Sequence, residues 1–244
     1  MTHSTVLVTG SDRGLGLEFV RQYAERGDDV IATCRSPDKA GELRALAAAR
    51  PGVSVEKLDV TSDDEVQALA SKYFGRPLDI LINNAGVLGA PGEQSLGQLE
   101  RHHFHDVMDV NAFAALAVSQ ALRANVLAGA GKKIVAVTSG LGSITVAGGM
   151  AKGPYYYRMS KAALNMGMQA LGADLRADGV AVAVLSPGTA DTAMFAAYRE
   201  GYAASHSGQP PAVAVAGLIR VIDELDPAKA AQGILRYDGT LVPW

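Results

Sequence analysis

The sequence predicts a single α/β domain built on a doubly wound parallel sheet of about seven strands with helices on both faces. Two observations favour this fold class. Short β-branched runs alternate with helix-length segments along the chain, and some runs, such as Ile134 to Val137 and Val180 to Leu185, are apolar throughout. Such runs suit strands that are buried on both faces, as parallel sheets require. The alternation with helices then favours the Rossmann-type arrangement.

The expected strands follow the β-branched runs in chain order. They are Thr5 to Val8, Asp29 to Thr33, Val53 to Asp59, Ile80 to Asn83, Lys133 to Thr138, Val180 to Leu185 and Gly233 to Tyr237. Right-handed crossovers between them would place helices on both faces of the sheet. No linker, repeat or low-complexity block divides the chain, so residues 1–244 are expected to form one nucleotide-binding domain.

Composition excludes several classes of protein. The chain has 22 Lys and Arg against 25 Asp and Glu, a net charge of −3, with no run of like charge. We therefore expect neither nucleic acid nor an anionic membrane as a partner. The first residues lack a signal-peptide pattern, and no apolar stretch reaches the roughly 18 residues of a membrane span. These features predict a soluble cytoplasmic protein.

No metal site is expected. Cys34 is the single cysteine of the chain, and we interpret it as a small buried residue at a strand end. The cluster His102, His103 and His105 has a spacing that fits no helical ligand pair except His102 with Asp106. Surface and packing roles in an amphipathic helix are therefore favoured over metal binding.

A glycine-rich turn between the first strand and a helix predicts a phosphate-binding loop. It reads Thr9-Gly10-Ser11-Asp12-Arg13-Gly14-Leu15-Gly16. Its first glycine allows a tight turn, the second a close backbone approach to a pyrophosphate, and the third close helix packing. The spacing matches the general dinucleotide fingerprint only in part. We expect the cofactor to contact Gly10, Ser11, Arg13, Gly14, Leu15 and Gly16.

The end of the second strand indicates which dinucleotide binds. The segment after Ile31 reaches Arg35 and Ser36 without the acidic residue that would accept hydrogen bonds from an adenosine ribose. Arg35 and Arg13 are suited to bind a 2′-phosphate through charge-assisted hydrogen bonds. We therefore expect NADP to be preferred over NAD, the alternative being that Arg35 is an ordinary solvated loop residue.

Tyr157 and Lys161 are the strongest catalytic signal. Four residues apart on a helix, their side chains leave the same face. A lysine ammonium favours the phenolate form and lowers the pKa of a tyrosine. We expect burial and the positive charge of an oxidised nicotinamide to assist that lowering. The pair would then supply a proton donor usable at neutral pH.

Taken together, these motifs resemble those of the short-chain dehydrogenase/reductase family over nearly the whole chain. In the family's order they are the loop Thr9 to Gly16, Asn83-Asn84-Ala85-Gly86, Asn111 in Met-Asp-Val-Asn, Ser139, Tyr157 with Lys161, and Pro187-Gly188. More narrowly, Tyr157 to Met166 and the ending Tyr237 to Trp244 are similar to the C-factor-like subgroup, which includes sniffer-type carbonyl reductases.

The resemblance implies a role for each matched residue. Tyr157 would donate a proton to a substrate carbonyl, Ser139 would orient that carbonyl, and Lys161 would hold the nicotinamide ribose. Asn111 would hold a water that links Lys161 to solvent. The remaining matched positions would line the cofactor: Asp59, Val60, Asn84, Ala85, Gly86, Pro187, Gly188 and Thr192.

Two of these assignments have competitors. Ser139 and Tyr157 are 18 positions apart, more than in many family members, so Ser143 is an alternative catalytic serine. Ser139 is favoured because it directly ends a strand. Thr189 competes with Thr192 for the place near the nicotinamide amide.

Two long segments after predicted strands, residues 140–156 and 187–211, are expected to be loops that form the walls of an apolar substrate pocket. Phe195, Tyr198 and Tyr202 would contribute from the second segment. Tyr155 and Tyr156 lack a lysine four positions later, and wall or packing roles are favoured for them.

The leading functional hypothesis is an NADPH-dependent reductase of aldehydes or ketones, reversible as an alcohol dehydrogenase. The alternative is a signalling or regulatory protein of C-factor type that acts through nucleotide occupancy. Reduction of a ketone on an acyl carrier protein is disfavoured because residues 187–211 offer only Arg199 as a basic docking residue. The apolar helices Asn111 to Leu127 and Ala162 to Leu175 predict a homo-oligomer, most simply a dimer, against a monomer whose loops cover those faces.

Overall fold

The computed structural model describes residues 3–149, 153–202, 205 and 207–244. It contains one eight-stranded sheet in the order β3-β2-β1-β4-β5-β6-β7-β8, parallel except for the antiparallel pair β7 and β8. The strands are β1 Thr5–Thr9, β2 Asp29–Cys34, β3 Val53–Lys57, β4 Ile80–Asn83, β5 Lys133–Val137, β6 Ala181–Ser186, β7 Ile234–Arg236 and β8 Leu241–Val242.

Helices cover both faces of the sheet. They are α1 Gly14–Arg26, α2 Gly41–Ala49, α3 Asp63–Lys72, α4 Arg101–Met108, α5 Ala114–Ala121, α6 Arg123–Ala128, α7 Ile144–Ala147, α8 Tyr155–Leu175, α9 Ala193–Tyr202, α10 Pro211–Asp223 and α11 Pro227–Ala230. A π-helical turn, Asp109–Phe113, joins α4 to α5.

The core has two halves, one on each side of the sheet. In β1, Val6 and Val8 belong to the half that α1 and α10 cover, whereas Leu7 belongs to the half that α3, α5 and α8 cover. Because successive side chains of a strand point to opposite faces, a strand buried on both sides must be apolar at every position. The predicted doubly wound fold is therefore confirmed.

The sheet order places a ligand crevice at a defined point. β1 pairs in parallel with β2 on one side and with β4 on the other. Successive strands are therefore added on one side of β1 up to β3 and on its other side from β4 onward, so the strand order reverses between β1 and β4. Ligands of such sheets bind in the crevice at the carboxyl ends of the two strands. Here that crevice lies between the loop after Thr9 and the loop after Asn83.

Two sequence expectations need correction. The sheet has an eighth strand, β8, which the sequence did not predict because two residues with an exposed Leu241 carry no readable pattern. The segments expected as loops also contain helices, α7 within residues 140–156 and the ten-residue α9 within residues 187–211. The parts of those expected loops at 150–152, 203–204 and 206 lie outside the described residues.

None of the helices in the described part of the chain is both long enough and apolar enough to cross a membrane.

Candidate active site

The glycine-rich turn and the loop after β4 are fastened together. The main-chain N–H groups of Asn84 and Ala85 both donate to Thr9 Oγ1, each at 3.0 Å. The Asn84 side chain donates to the carbonyls of Thr9 (2.9 Å) and Gly10 (3.1 Å). A Cβ on Gly16 would clash with the Gly10 carbonyl and lie 2.6 Å from Asn84 Nδ2, so only glycine allows this approach.

The first turn of α1 suits a pyrophosphate. Gly14 has a φ of +57°, and among the described residues no side chain caps the helix at Arg13. The free N–H groups and positive dipole of a helix N-terminus attract phosphate, and the first helical turn of α1 carries no acidic side chain. An added Cβ on Gly14 would lie 3.8 Å from Thr192 Cγ2, so Thr192 borders the same cleft.

The predicted cofactor residues differ in what their side chains offer. Ser11 is fully buried and donates through Oγ to the Val8 carbonyl (2.8 Å), so only its main chain is available to a ligand. The Arg13 side chain is 78% exposed, and Arg35 is exposed at the end of β2. Burial alone would raise the pKa of the Asp59 carboxyl, but hydrogen bonds from Thr61 and, to a smaller extent, the positive charge of Arg35 hold it below its usual value.

The other predicted cofactor positions follow the carboxyl ends of β1, β3 and β6. Leu15 packs against the core below the glycine turn, and Val60 packs against the other half of the core. Gly188 has a φ of +67° and lies against Tyr237, and the Pro187 carbonyl accepts from Gln209 Nε2 at 2.8 Å. Thr189 is the alternative to Thr192 for the place near the nicotinamide amide. The Thr189 carbonyl accepts from Gln209 N–H (2.8 Å), whereas Thr192 Oγ1 accepts from Phe195 N–H (3.3 Å) at the start of α9.

Tyr157 and Lys161 are both buried near the start of α8. Lys161 Nζ donates to the Val137 carbonyl at 2.9 Å and lies 5.8 Å from the centre of the Tyr157 ring. The Ser139 side chain lies close enough to the Tyr157 hydroxyl to influence its pKa. The structure thus brings the three predicted catalytic side chains together at the carboxyl ends of β5 and β4.

The pKa values of this pair correct one sequence expectation. The pKa of Tyr157 is raised to about 12, mainly by burial and to a smaller extent by Tyr198, while the nearby Ser139 side chain lowers it in part. Burial also lowers the pKa of Lys161 to about 8. The expected lowering of the Tyr157 pKa is therefore wrong: the pKa is raised, and burial opposes phenolate formation, because removing a phenolate from water disfavours its charge. At these pKa values both side chains are protonated at neutral pH.

The two candidate serines are placed differently. Ser139 ends β5, accepts from Leu141 N–H at 3.2 Å and faces Tyr157. Ser143 is buried, donates to the Pro243 carbonyl at 2.6 Å and accepts from Val146 N–H at 3.1 Å as the cap of α7. The Ser143 hydroxyl is therefore used in hydrogen bonds to Pro243 and Val146, and of the two serines Ser139 is the one that lies beside Tyr157.

Asn111 lies in the π-helical turn and is buried. Its Oδ1 accepts from Val87 N–H (2.8 Å), and its Nδ2 donates to the Val87 carbonyl (2.8 Å) and to Ser160 Oγ (2.9 Å). A Cβ added to Gly86 would lie 3.2 Å from Asn111 Oδ1 and 3.6 Å from Lys161 Nζ. Asn111 and Lys161 therefore meet beside Gly86, and π turns of this kind are frequent at functional sites.

Aromatic side chains border the site. Along α9, Phe195 and Tyr198 have ring centres 6.4 Å apart, and Tyr198 and Tyr202 have ring centres 5.3 Å apart. Tyr156 is buried against Phe104 at 5.7 Å, a packing role, whereas Tyr155 is 43% exposed. Tyr198 contributes to the raised pKa of Tyr157, so its phenol lies in the neighbourhood of that residue.

Sequence reasoning missed Gln94. It is fully buried, and its amide bonds Leu88 and the first turn of α8 at Tyr157. A single glutamine within a Pro- and Gly-rich segment carries no pattern that could have identified it.

The histidine cluster does not gather ligands. His103 Nε2 lies 2.7 Å from Glu93 Oε2, and His102 stacks on His103 with ring centres 3.7 Å apart. In the described part of the chain, no group of three His, Cys, Asp or Glu side chains is arranged to hold a metal ion.

A doubly wound sheet with a glycine-rich turn after its first strand, and with half-buried Ser139 beside buried Tyr157 and Lys161, is typical of dinucleotide-dependent proteins, and comparisons identify the family. A family model described as short chain dehydrogenase matches residues 4–203. The 1-hydroxy-2-glutathionyl-2-methyl-3-butene dehydrogenase of Rhodococcus sp. (strain AD45) is 36% identical over 245 residues, covering 99% of this chain and 100% of that protein. C-signal of Myxococcus xanthus is 35% identical over 179 residues, covering 73% of this chain and 100% of that protein.

Among solved structures, the NADPH-bound carbonyl reductase from chicken fatty liver superposes with a TM-score of 0.89 over 100% of both chains, at 29% identity. The chain belongs to the short-chain dehydrogenase/reductase family and is an oxidoreductase. The similarity to C-signal is in keeping with the subgroup that the sequence resembles.

Proposed function

We propose that this protein is an NADPH-dependent carbonyl reductase that interconverts an aldehyde or ketone with its alcohol. The observation that carries the proposal is the group formed by the buried Tyr157 and Lys161 with the half-buried Ser139 beside them. A protein that only holds a nucleotide has no need of a proton donor that burial keeps protonated. The solved NADPH-bound carbonyl reductase of the same fold supports this choice of cofactor and substrate class.

The proposed reaction uses each side chain for one task. Bound NADPH supplies the hydride. Tyr157 donates its proton to the carbonyl oxygen as negative charge develops there, and Ser139 donates a hydrogen bond to the same oxygen and orients it. Lys161 places a positive charge beside the phenolate that Tyr157 becomes, which lowers the cost of the transfer. We propose that a water held by Asn111 returns a proton from solvent to Lys161. This part of the proposal rests on the closeness of Lys161 to Asn111 beside Gly86.

The proposed preference for NADP over NAD rests on Arg13 and Arg35, two exposed cations at the edge of the crevice. Arg35→Asp is expected to lower the ratio of kcat/KM for NADPH over NADH about tenfold or more, because a charge-assisted pair is replaced by repulsion. Arg50→Asp, which makes the same charge change at the exposed far end of α2, is the matched control. An unaltered ratio in Arg35→Asp would show that Arg35 does not determine a preference for NADPH.

Substrate class is tested by following NADPH oxidation with aldehydes, diketones and ketones, and NADP reduction with alcohols that include a glutathione conjugate. The aromatic α9 predicts that apolar and aromatic carbonyls are preferred over small polar ones. NADPH binding without turnover on any member of the panel would favour the regulatory alternative, which the similarity to C-signal keeps in view.

We further propose that the chain forms a dimer through α5 and α8. Phe113 and Met166 support this, because they are large apolar side chains exposed at 60% and 72% next to these helices or on them. Sedimentation that shows only the mass of one chain would contradict the proposal. The cytoplasmic location, the absence of nucleic-acid and membrane partners, and the role of residues 140–156 and 187–211 as substrate walls stay predictions.

A further inference from the structure

The helix that carries the catalytic tyrosine lacks a cap of its own. The first four N–H groups of any α-helix have no partner within the helix. In α8 these include Tyr155 and Tyr157, and the residue before the helix, Pro154, provides no side-chain cap among the described residues. The acceptors for both N–H groups come from Gln94, a residue more than 60 positions away in the chain.

Gln94 makes these contacts from a fully buried position. Its main-chain carbonyl accepts from Tyr155 N–H at 3.0 Å, and its Oε1 accepts from Tyr157 N–H at 3.1 Å. Its Nε2 donates to the carbonyls of Leu88 (2.8 Å) and Ala90 (3.3 Å). The neighbours determine the amide orientation, because an N–H can only donate and a carbonyl can only accept.

The same glutamine connects the catalytic helix to the cofactor loop. Leu88 follows Gly86 and Val87, and Val87 is held on both its main-chain groups by Asn111. Asn111 also bonds Ser160, one turn after Tyr157. The loop after β4 is therefore tied to α8 at two successive turns, by Asn111 at Ser160 and by Gln94 at Tyr157.

We infer that Gln94 is a positioning residue that fixes the Tyr157 main chain, and with it the hydroxyl, relative to the cofactor loop. The inference rests on the proposed function, because it gives Gln94 a part in the rate of the carbonyl reduction. The cost of displacement is large: a shift of about 1 Å in a reacting group lowers a rate about a hundredfold.

The test uses Gln94→Met, which keeps the length of the side chain but removes its hydrogen bonds, and Gln94→Asn, which is too short to join Leu88 to Tyr157. Gln98→Met is the matched control, since Gln98 lies in the same segment and is exposed. Two quantities are measured: the single-turnover rate constant of NADPH oxidation and the hydrogen exchange of the Tyr157 amide without substrate. Partial unfolding lowers the amplitude of a single turnover, whereas a displaced tyrosine lowers its rate constant.

Both Gln94 variants are expected to lower the rate constant about tenfold to a hundredfold and to speed exchange at Tyr157 by about tenfold or more. NADPH affinity should change little, and Gln98→Met should match wild type. An unchanged rate constant, or unchanged exchange, in whichever variants fold overturns the inference. If the wild type itself reduces no carbonyl, the proposed function fails, and the amide exchange alone decides whether Gln94 holds Tyr157.

Discussion

Ser139 and Ser143 show how two residues of one type acquire different roles through their partners. Ser139 faces Tyr157, while Ser143 holds Pro243 and caps α7. Ser139→Ala should lower kcat about a hundredfold or more, since loss of one donor to a developing oxyanion has that effect.

Ser143→Ala should leave kcat nearly unchanged and lower the free energy of unfolding by about 1 kcal/mol, the usual cost of a lost hydrogen bond or cap. Steady-state kinetics and urea unfolding of both variants check the pair. The reverse pattern, with turnover lost in Ser143→Ala, would transfer the catalytic role to Ser143.

The buried Lys161 is expected to lower the free energy of unfolding of the protein. Burial lowers its pKa from the usual 10.5 to about 8, so the unfolded chain binds more protons than the folded one between those two pH values. Stability therefore rises with pH through that window, and the full cost of the buried charge applies below pH about 8. The cost is about 3 kcal/mol, because each pH unit corresponds to about 1.4 kcal/mol.

Lys161→Met should therefore abolish turnover while it raises the free energy of unfolding at about pH 7, offset in part by loss of the bond to Val137. The increase in the free energy of unfolding should be smaller at about pH 9.5, because Lys161 of the folded wild type is mostly neutral there and burying it costs less. Urea unfolding at the two pH values measures it, with the exposed Lys39→Met as control. A gain of equal size at both values would contradict the assignment of a buried charge.

At the scale of elements, the glycine turn depends on how closely α1 approaches the loop after β4. A Cβ on Gly16 would clash with the Gly10 carbonyl and approach Asn84 Nδ2, both held by hydrogen bonds. Gly16→Ala should lower the free energy of unfolding by about 2 kcal/mol, in the range of overpacked cores, and weaken NADPH binding.

Gly41→Ala is the matched control for Gly16→Ala, because a Cβ there meets nothing within 4 Å at the start of α2. It should be neutral or slightly stabilising. Thermal unfolding and NADPH titration of both variants check the comparison. Equal effects of the two substitutions would show that close packing at Gly16 is not what the turn requires.

The elements that the sequence predicted are those with a local pattern. Apolar runs located seven strands to within about two residues, and the glycine turn and the Tyr157–Lys161 pair are readable from spacing alone. α9 was expected as loop because small and polar residues surround its aromatic side chains. Gln94 was not predictable, because its role depends on a contact between segments that are distant in the chain.

At the scale of the whole molecule, the carboxyl edge of the sheet assembles the site. β1 delivers the glycine turn, β4 the loop at Gly86, β5 Ser139, and α8 Tyr157 with Lys161. Each element is held to its neighbour by hydrogen bonds from side chains, mostly to main-chain groups, which explains how segments widely separated in the chain meet with defined geometry. We propose that this assembly reduces a carbonyl with Tyr157 as proton donor.

The most direct test compares the turnover of wild type, Tyr157→Phe and Tyr155→Phe with NADPH and the best carbonyl substrate. Tyr155→Phe makes the same change two positions earlier, on an exposed side chain. The account predicts that Tyr157→Phe binds NADPH as wild type does but loses turnover by about a thousandfold or more, while Tyr155→Phe retains it. Turnover in Tyr157→Phe that is similar to that of wild type would show that Tyr157 is not the proton donor.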